Sequence, residues 1–308
     1  MMMDIAVIGS NMVDLITYVD QMPKAGETLE APTFQMGCGG KGANQAIAAA
    51  KLGAKVMMQS KVGDDVFADN TINNFKQYGV DTRYVEKVNG VSSGVAPIFV
   101  DSSSQNRILI IKGANAHLQP EDIDRAAESL QQCKLIVLQL EIPLETVYYA
   151  IDFANKHAIP VILNPAPASK ALSLEYACKC DFFMPNETEL EILTGMPVNN
   201  MAKIQAAAGF LLGKGLKNII VTLGEKGAVW LHDDHIVHVP PCKVNAVDTS
   251  GAGDAFIGCF AHHYIQSGDV LAAMKEASLF AACSVTGKGT QSSYPNQTEF
   301  ELFKQHCL

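Results

Sequence analysis

Two glycine-rich stretches hold the residues of this chain whose types and spacing could do chemistry. The later one reads Val247-Asp248-Thr249-Ser250-Gly251-Ala252-Gly253-Asp254-Ala255-Phe256 and leads into an apolar run of helical character. Glycine lets backbone come close to a ligand, and a helix N-terminus offers unpaired N–H groups at the positive end of its dipole, so the stretch reads as an anion site. A carboxylate beside such a site repels the anion. Asp254 is better suited to accept a proton from a hydroxyl that attacks a phosphoryl group. On its own the stretch equally fits a plain Gly-rich helix start whose Asp254 favours the dipole. The earlier stretch, Gly37-Cys38-Gly39-Gly40-Lys41-Gly42-Ala43-Asn44, opens an Ala-rich helix to about residue 52. There Lys41 and Asn44 place hydrogen-bonding groups where the backbone is most accessible.

The elements needed to position these residues follow from the pattern of apolar runs. Residues 4–9 (DIAVIG) read as a buried strand ending in glycine, without the G-x-G-x-x-G of a dinucleotide site. The stretch 15–34, with Pro23, Gly26 and Pro32, is not the helix a plain βαβ unit places there and reads as strands leaving the main sheet. Strands at 91–100 and 107–112, joined by a polar turn at 101–106, complete a small sheet or lid formed by about 12–36 and 91–112. A small sheet needs a surface to pack on, so the lid is also a candidate dimer contact.

A strand at 56–62 and a helix at 65–78 come between the two lid segments. From residue 120 the pattern becomes regular: helix 121–132, strand 135–140, helix 144–157, strand 160–163, strand 182–184, helix 187–193, helix 201–214 and strand 218–223. A meander through Val229 and Val237 precedes helices at 252–266 and 270–285. Such alternation predicts a largely parallel sheet covered on both faces, with ligands beyond the C-terminal ends of the strands. The polar residues just past those ends are therefore the first functional candidates: Glu141, Asn164, Asn186 and the run from Thr222 to Gly227. No repeat or low-complexity linker divides the chain, which reads as one domain over 1–308.

Totals bound the alternatives. A net charge of −9 argues against a general nucleic-acid binder. No apolar run is long enough to span a membrane, and the N-terminus lacks the basic and apolar regions of a signal peptide. Eight scattered cysteines, most in apolar contexts, read as reduced thiols of a cytoplasmic protein. Cys178 and Cys180 form a C-x-C pair without the further ligands of a zinc set.

In order and separation the two stretches, GCGGKGANQAIAAAKLGA and VDTSGAGDAFIGCF, resemble the signatures of the ribokinase family of sugar kinases, and the resemblance runs through essentially the whole chain. It implies an α/β fold with three α/β/α layers, a mostly parallel sheet and a β-lid. It also implies ATP-dependent phosphorylation of a sugar 5-hydroxyl. By match to the signatures, Asp254 would be the base, and Gly251, Ala252 and Gly253 would offer N–H groups to the transferred phosphoryl. Met12, Val13, Asp14, Gly40, Lys41, Gly42, Ala43, Asn44 and Glu141 would line the sugar site with Asp254. The nucleotide positions would be Asn186, Thr222, Leu223, Gly224, Glu225, Lys226, Gly227, Gly253, Asp254 and Ser278. Asn186 and Glu189 match an Asn-x-x-Glu motif associated with Mg2+ held largely through water. Asp248, Ser250, Ser284, Gly287, Gly289 and Ser293 match a monovalent-cation site, usually for K+. The resemblance also implies a homodimer through the lid, with apolar residues such as Ile16, Val95, Ile98 and Ile110 in it.

One position departs from the family pattern. Where the family has an asparagine that bonds a ring hydroxyl of ribose, this chain has Met12, which offers only a weak thioether acceptor. Such a site suits 2-deoxy-D-ribose. Apolar pockets reject an added hydroxyl only weakly, so ribose is expected as a poorer substrate. Within the family the resemblance is to bacterial kinases of deoxyribose first and kinases of ribose second. A kinase of another pentose, a nucleoside or a hexose, a non-catalytic sugar-binding protein and an NAD-linked enzyme are the rival readings.

Overall fold

Strands built mostly of Ile, Val, Leu and Met and buried on both faces form the centre of this protein. The computed structural model describes residues 3–101, 106–233 and 235–307. Most of the polar turn expected at 101–106 lies outside the described residues. The first half contains β1 (Ile5–Ile8), β2 (Met12–Tyr18), β3 (Thr33–Gly39), α1 (Lys41–Lys51), β4 (Val56–Val62), α2 (Val66–Gln77), β5 (Asp81–Lys87), β6 (Val95–Val100) and β7 (Asn106–Ile108). Then follow α3 (Pro120–Arg125), α4 (Ala127–Leu130), β8 (Leu135–Leu138), α5 (Leu144–Lys156), β9 (Val161–Leu163), α6 (Leu174–Ala177), β10 (Phe182–Phe183), α7 (Glu187–Thr194) and α8 (Met201–Leu212). The chain closes with β11 (Ile219–Thr222), β12 (Ala228–His232), β13 (His235–Val239), α9 (Ala252–Ser267), α10 (Val270–Ser284) and α11 (Gln297–Cys307).

The main sheet has nine strands in the order β13-β12-β11-β10-β9-β8-β1-β4-β5. It is parallel from β5 to β11, and β12 and β13 continue it antiparallel. Every residue of β1, β4 and β8 is buried, as two-faced coverage demands. Alternation sorts the side chains. Ile5 and Val7 join a core with α1, α9 and α10, while Ala6 and Ile8 join a second core with α5 and α8. The result is the three-layer α/β/α arrangement expected from the sequence.

The second sheet, in the order β3-β2-β6-β7, leaves the main one directly after β1. It includes Gly37–Gly39 beyond the 12–36 bound expected for its first segment. Residues at its base are stitched by two buried amides. Asn115 Oδ1 accepts the Asn11 N–H at 3.0 Å, and its Nδ2 donates to the carbonyls of Asn11 (2.7 Å) and Lys112 (2.9 Å). Asn11 Nδ2 donates to Lys61 O at 2.7 Å, tying the same point to β4.

Several elements differ from the sequence reading. The helix expected at 121–132 is two short ones, broken at Ala126, whose φ of −93° and ψ of 0° lie outside the helical range. β5, α6 and α11 were not expected. β5 is one of the two edge strands of the main sheet and alternates little, with one buried residue in seven, Val85. The strand expected at 107–112 is short, and a single bridge from Val95 to Ile111 continues its pairing.

Candidate active site

The N-termini of α1 and α9 meet at the C-terminal edge of the main sheet. α1 starts at Gly40 with φ 89°, where a side chain would collide with the backbone of Asn11 and Met12. No side chain of its own caps this helix. Its first N–H groups are satisfied instead from the loops that follow β1 and β8. Lys41 N–H donates to Glu141 Oε2 (3.0 Å), Gly42 N–H to Ser10 Oγ (3.3 Å) and Ala43 N–H to the Ser10 carbonyl (2.8 Å). Ser10 Oγ also donates to Glu141 Oε2. Glu141 thus spends one oxygen on the scaffold and keeps Oε1 for other partners.

α9 starts at Gly251, with φ 72° and again no side-chain cap. The Tyr294 hydroxyl donates to the Gly251 carbonyl at 2.9 Å and fixes the turn. Asp254, in the first turn of α9, is 7% exposed. Both its oxygens accept amide bonds from α1: Asn44 Nδ2 reaches Oδ2 at 3.0 Å, and Gln45 Nε2 reaches Oδ1 at 2.9 Å. The helices can approach this closely because Gly258 lies against Ala48 and the Gln45 carbonyl, and a methyl there would come within 2.5 Å of each. Gln45 also donates to Asn164 Oδ1 (3.2 Å) and accepts from Gln139 Nε2 (2.6 Å).

Charge is concentrated here. Burial, reinforced by the charges of Glu141 and Asp254, raises the Asp14 carboxyl to about 7. Burial alone would depress Lys41, but Asp254, Glu141 and Glu189 outweigh it and hold its ammonium above the usual lysine range. Burial also raises Glu189, against the Asn186 N–H bond and Lys41. Lys41 is therefore the cation of a site with several carboxylates, and it stays charged.

Two cavities adjoin at this point. The larger, 780 Å³, is lined by Asn186, Thr222, Gly224, Glu225, Gly227 and Ser278, among others. That volume is in the range of small-molecule and cofactor sites. The smaller, 180 Å³, is lined by Lys41, Asn164, Glu189, Gly251 and Asp254. Asn186, Thr222, Thr249, Ala252 and Gly253 line both. A Cβ at Gly253 would meet nothing within 4 Å, so its backbone borders open space at the junction. Ser278 lines the larger cavity, and its hydroxyl is buried with no hydrogen-bond partner among the described residues.

The loops beneath α9 are clamped by Asp248, whose oxygens accept the N–H groups of Ser250 and Gly289, each at 2.9 Å. Burial would raise its carboxyl, but these bonds outweigh that and lower it. The N–H groups of Val247 and Asp248 bond the Val285 carbonyl, and Gly287 N–H bonds that of Ser284. Ser293 packs against Gly287.

Residues 2–297 match the pfkB family carbohydrate kinases. The chain is a pfkB-family carbohydrate kinase. It is 72% identical over 301 residues to deoxyribokinases of Salmonella typhi and Salmonella typhimurium, covering 98% of this chain and of each relative. Mouse ribokinase is 38% identical over 302 residues, with 97% of this chain and 94% of that one covered. Among solved structures, Arabidopsis thaliana ribokinase complexed with ribose and ATP superposes with a TM-score of 0.93 at 31% identity, covering 98% of this kinase and 99% of that chain.

The fold of the kinase brings Asp254, Gly251, Ala252, Gly253, Lys41, Asn186 and Glu189 to one junction and Thr222, Gly224, Glu225, Gly227 and Ser278 to the larger cavity. Leu223 and Lys226 are not at that wall: Leu223 is buried in the core, and Lys226 pairs with Glu187 at 3.3 Å. Met12, Val13 and Asp14 line neither cavity. Met12 and Val13 are buried, with Asn115 Nδ2 4.0 Å from the Met12 sulfur. Asn186 and Glu189 bond each other's backbone N–H as a capping box at the start of α7, at 2.8 and 2.9 Å. The sequence reading missed Ser10, Gln45, Gln139 and Gln291. Only Gln45 carried a usable signal, standing inside the first signature beside Asn44.

Proposed function

We propose that this kinase transfers the γ-phosphoryl group of ATP to the 5-hydroxyl of 2-deoxy-D-ribose, giving 2-deoxy-D-ribose 5-phosphate and ADP. The observation that carries this reading is the 72% identity to deoxyribokinases along the whole chain. ATP occupies the 780 Å³ cavity, with Ser278 beside the base and Gly224, Glu225 and Gly227 along the nucleotide. The sugar reaches from the smaller cavity, lined by Lys41 and Asp254, toward the lid, where Asn44, Asp14 and the free oxygen of Glu141, outside that cavity's wall, complete its partners. Asp254 takes the proton of the 5-hydroxyl as that oxygen attacks phosphorus. Its two amide bonds leave lone pairs for the hydroxyl. The N–H groups of Gly251 and Gly253, the dipole of α9, and the Ala252 N–H, which at rest donates to the Thr249 carbonyl at 3.3 Å, meet the charge that spreads over the transferred phosphoryl.

Magnesium, when bound, neutralises phosphate charge. The residues fit a water-mediated site: Asn186 and Glu189 line the smaller cavity side by side, and of the two Glu189 oxygens Oε2 is the one bound to the Asn186 N–H. The loops clamped by Asp248 present carbonyls, the donors a potassium ion takes, and activation by K+ belongs to this reading. So does a homodimer through the second sheet, acting as a lid.

A coupled ATP assay across 2-deoxyribose, ribose and nucleosides, with K+ or Na+, tests the proposal. We expect 2-deoxyribose to have the highest kcat/KM, ribose a measurable but lower one, and nucleosides no turnover. Asp254→Asn should lose at least about 1,000-fold in kcat while still binding sugar in calorimetry. A variant that turns over normally removes Asp254 from the role of base. Met12→Asn should move the ratio of kcat/KM values toward ribose. An unchanged ratio makes Met12 ordinary core, as its 2% exposure also permits.

A further inference from the structure

The amides around Asp254 form a chain whose direction follows from a single fact: an ionised carboxylate accepts hydrogen bonds and donates none. Asn44 must therefore turn Nδ2 to Asp254, which leaves its Oδ1 to accept from Gln291 Nε2 at 2.9 Å. Gln291 Oε1 in turn accepts from Asn74 Nδ2 at 2.7 Å. Each amide has a donor end and an acceptor end, so each member sets the orientation of the next. Asn44 and Gln291 are 5% and 3% exposed, so water does not compete for the bond between them. Gln291 is itself held from behind, because Lys51 Nζ donates to its carbonyl at 2.9 Å.

We propose that Gln291 is a positioning residue for the catalytic base: by donating to Asn44 Oδ1 it keeps the donor end of Asn44 on Asp254, and so holds that carboxylate in place to receive the sugar hydroxyl. The proposal rests on the reading of Asp254 as the base. Reversing the chain gives a result that mere loss of packing does not. In Gln291→Glu the introduced carboxylate can only accept, so Asn44 turns Nδ2 toward it and Oδ1 toward Asp254. Two acceptors then face each other while the other charged groups around Asp254, namely Lys41, Asp14 and Glu189, are unchanged, so the acidic limb of kcat moves to higher pH.

The experiment measures kcat against pH for wild type, Gln291→Glu, Gln291→Met and Asp254→Asn, with circular dichroism confirming the fold. The acidic limb should move up by about one pH unit in Gln291→Glu and by about half a unit in Gln291→Met, which removes the donor without adding charge. The sugar KM at high pH should stay within about twofold of wild type. A limb at its wild-type position in Gln291→Met overturns the proposal, since charge alone then explains the glutamate variant. An active Asp254→Asn overturns the reading of the base instead. If neither Gln291 variant folds, Asn74→Ala reaches the chain from a half-buried position. Its limb should move the same way, and an unmoved limb there also overturns the proposal.

Discussion

Asp14 faces Glu141 and Asp254 across a site whose nearby cation is Lys41, and its proton is held to about pH 7. A carboxyl raised above its ordinary value near 3.8 binds its proton more firmly folded than unfolded. Protonation therefore favours the folded state, and this contribution is full below pH 3.8 and is lost as the pH rises toward 7. Above 7 the buried charge is a net cost to the fold. Asp14→Asn removes that cost, so its melting temperature should exceed that of wild type at pH 8 by about 3 °C or more, with the gap closing toward pH 5. Calorimetric melts at both pH values check this, and a gap independent of pH would refute the charge argument. The same acid is the one proposed to accept a sugar hydroxyl, so the stabilised variant should also bind sugar less tightly. Stability and function pull in opposite directions at this residue, as is common in active sites.

At the scale of elements, α1 and α9 act as one unit. Their N-termini converge at the site, and their crossing is set by Gly258 against Ala48 and the Gln45 carbonyl. Adding a methyl at Gly258 must push the helices apart, which should cost about 1–3 kcal/mol. It should also lengthen the bonds from Asn44 and Gln45 to Asp254. Gly258→Ala is thus expected to lower both the melting temperature and kcat while the KM for ATP, set in the other cavity, holds. A variant with lowered stability but wild-type kcat would separate the packing from the site. Sequence reading reached these helices readily, because the glycine clusters and the apolar periodicity mark where each begins. It reached the ends of buried strands for the same reason, and Asn164 and Asn186 were found by their place just past such ends. Apart from Asn44, it did not reach the amides that surround Asp254. Gln45, Gln139 and Gln291 are polar residues in apolar or loop contexts with no spacing of their own. Their partners lie as far as 247 residues away in the chain, so only the fold assembles them. β5 escaped notice for a different reason: an outer strand with one buried residue has no alternation to read.

At the scale of the whole molecule the second sheet sets the remaining question, and its register sorts the answer. Paired residues share a face, so Leu15, Met36 and Pro97 lie together, continued by Phe34 and Phe99 and by Leu109 next to Pro97. Asp14, Ile16 and Ile98 take the opposite face, which the charges of Glu141 and Asp254 identify as the one turned to the site. Three of the four apolar residues singled out from the sequence, Ile16, Ile98 and Ile110, therefore alternate onto the site-facing side, and Val95 alone shares the outer one. The outer face carries Phe34 at 59%, Met36 at 51% and Leu109 at 62% exposure. A contiguous apolar face of this kind marks an interaction surface, and a second copy of the same sheet is the occupant proposed above. Met36→Asp with Leu109→Asp places charge at its centre without touching the site. Light scattering should give the mass of two chains for wild type and of one for the double variant. The sheet then loses its packing partner and should close less well over the sugar, so the sugar KM should rise severalfold while the ATP KM stays near wild type. A wild-type protein with the mass of a single chain would refute the dimer. A monomeric variant with an unchanged sugar KM would show that the lid closes without a partner.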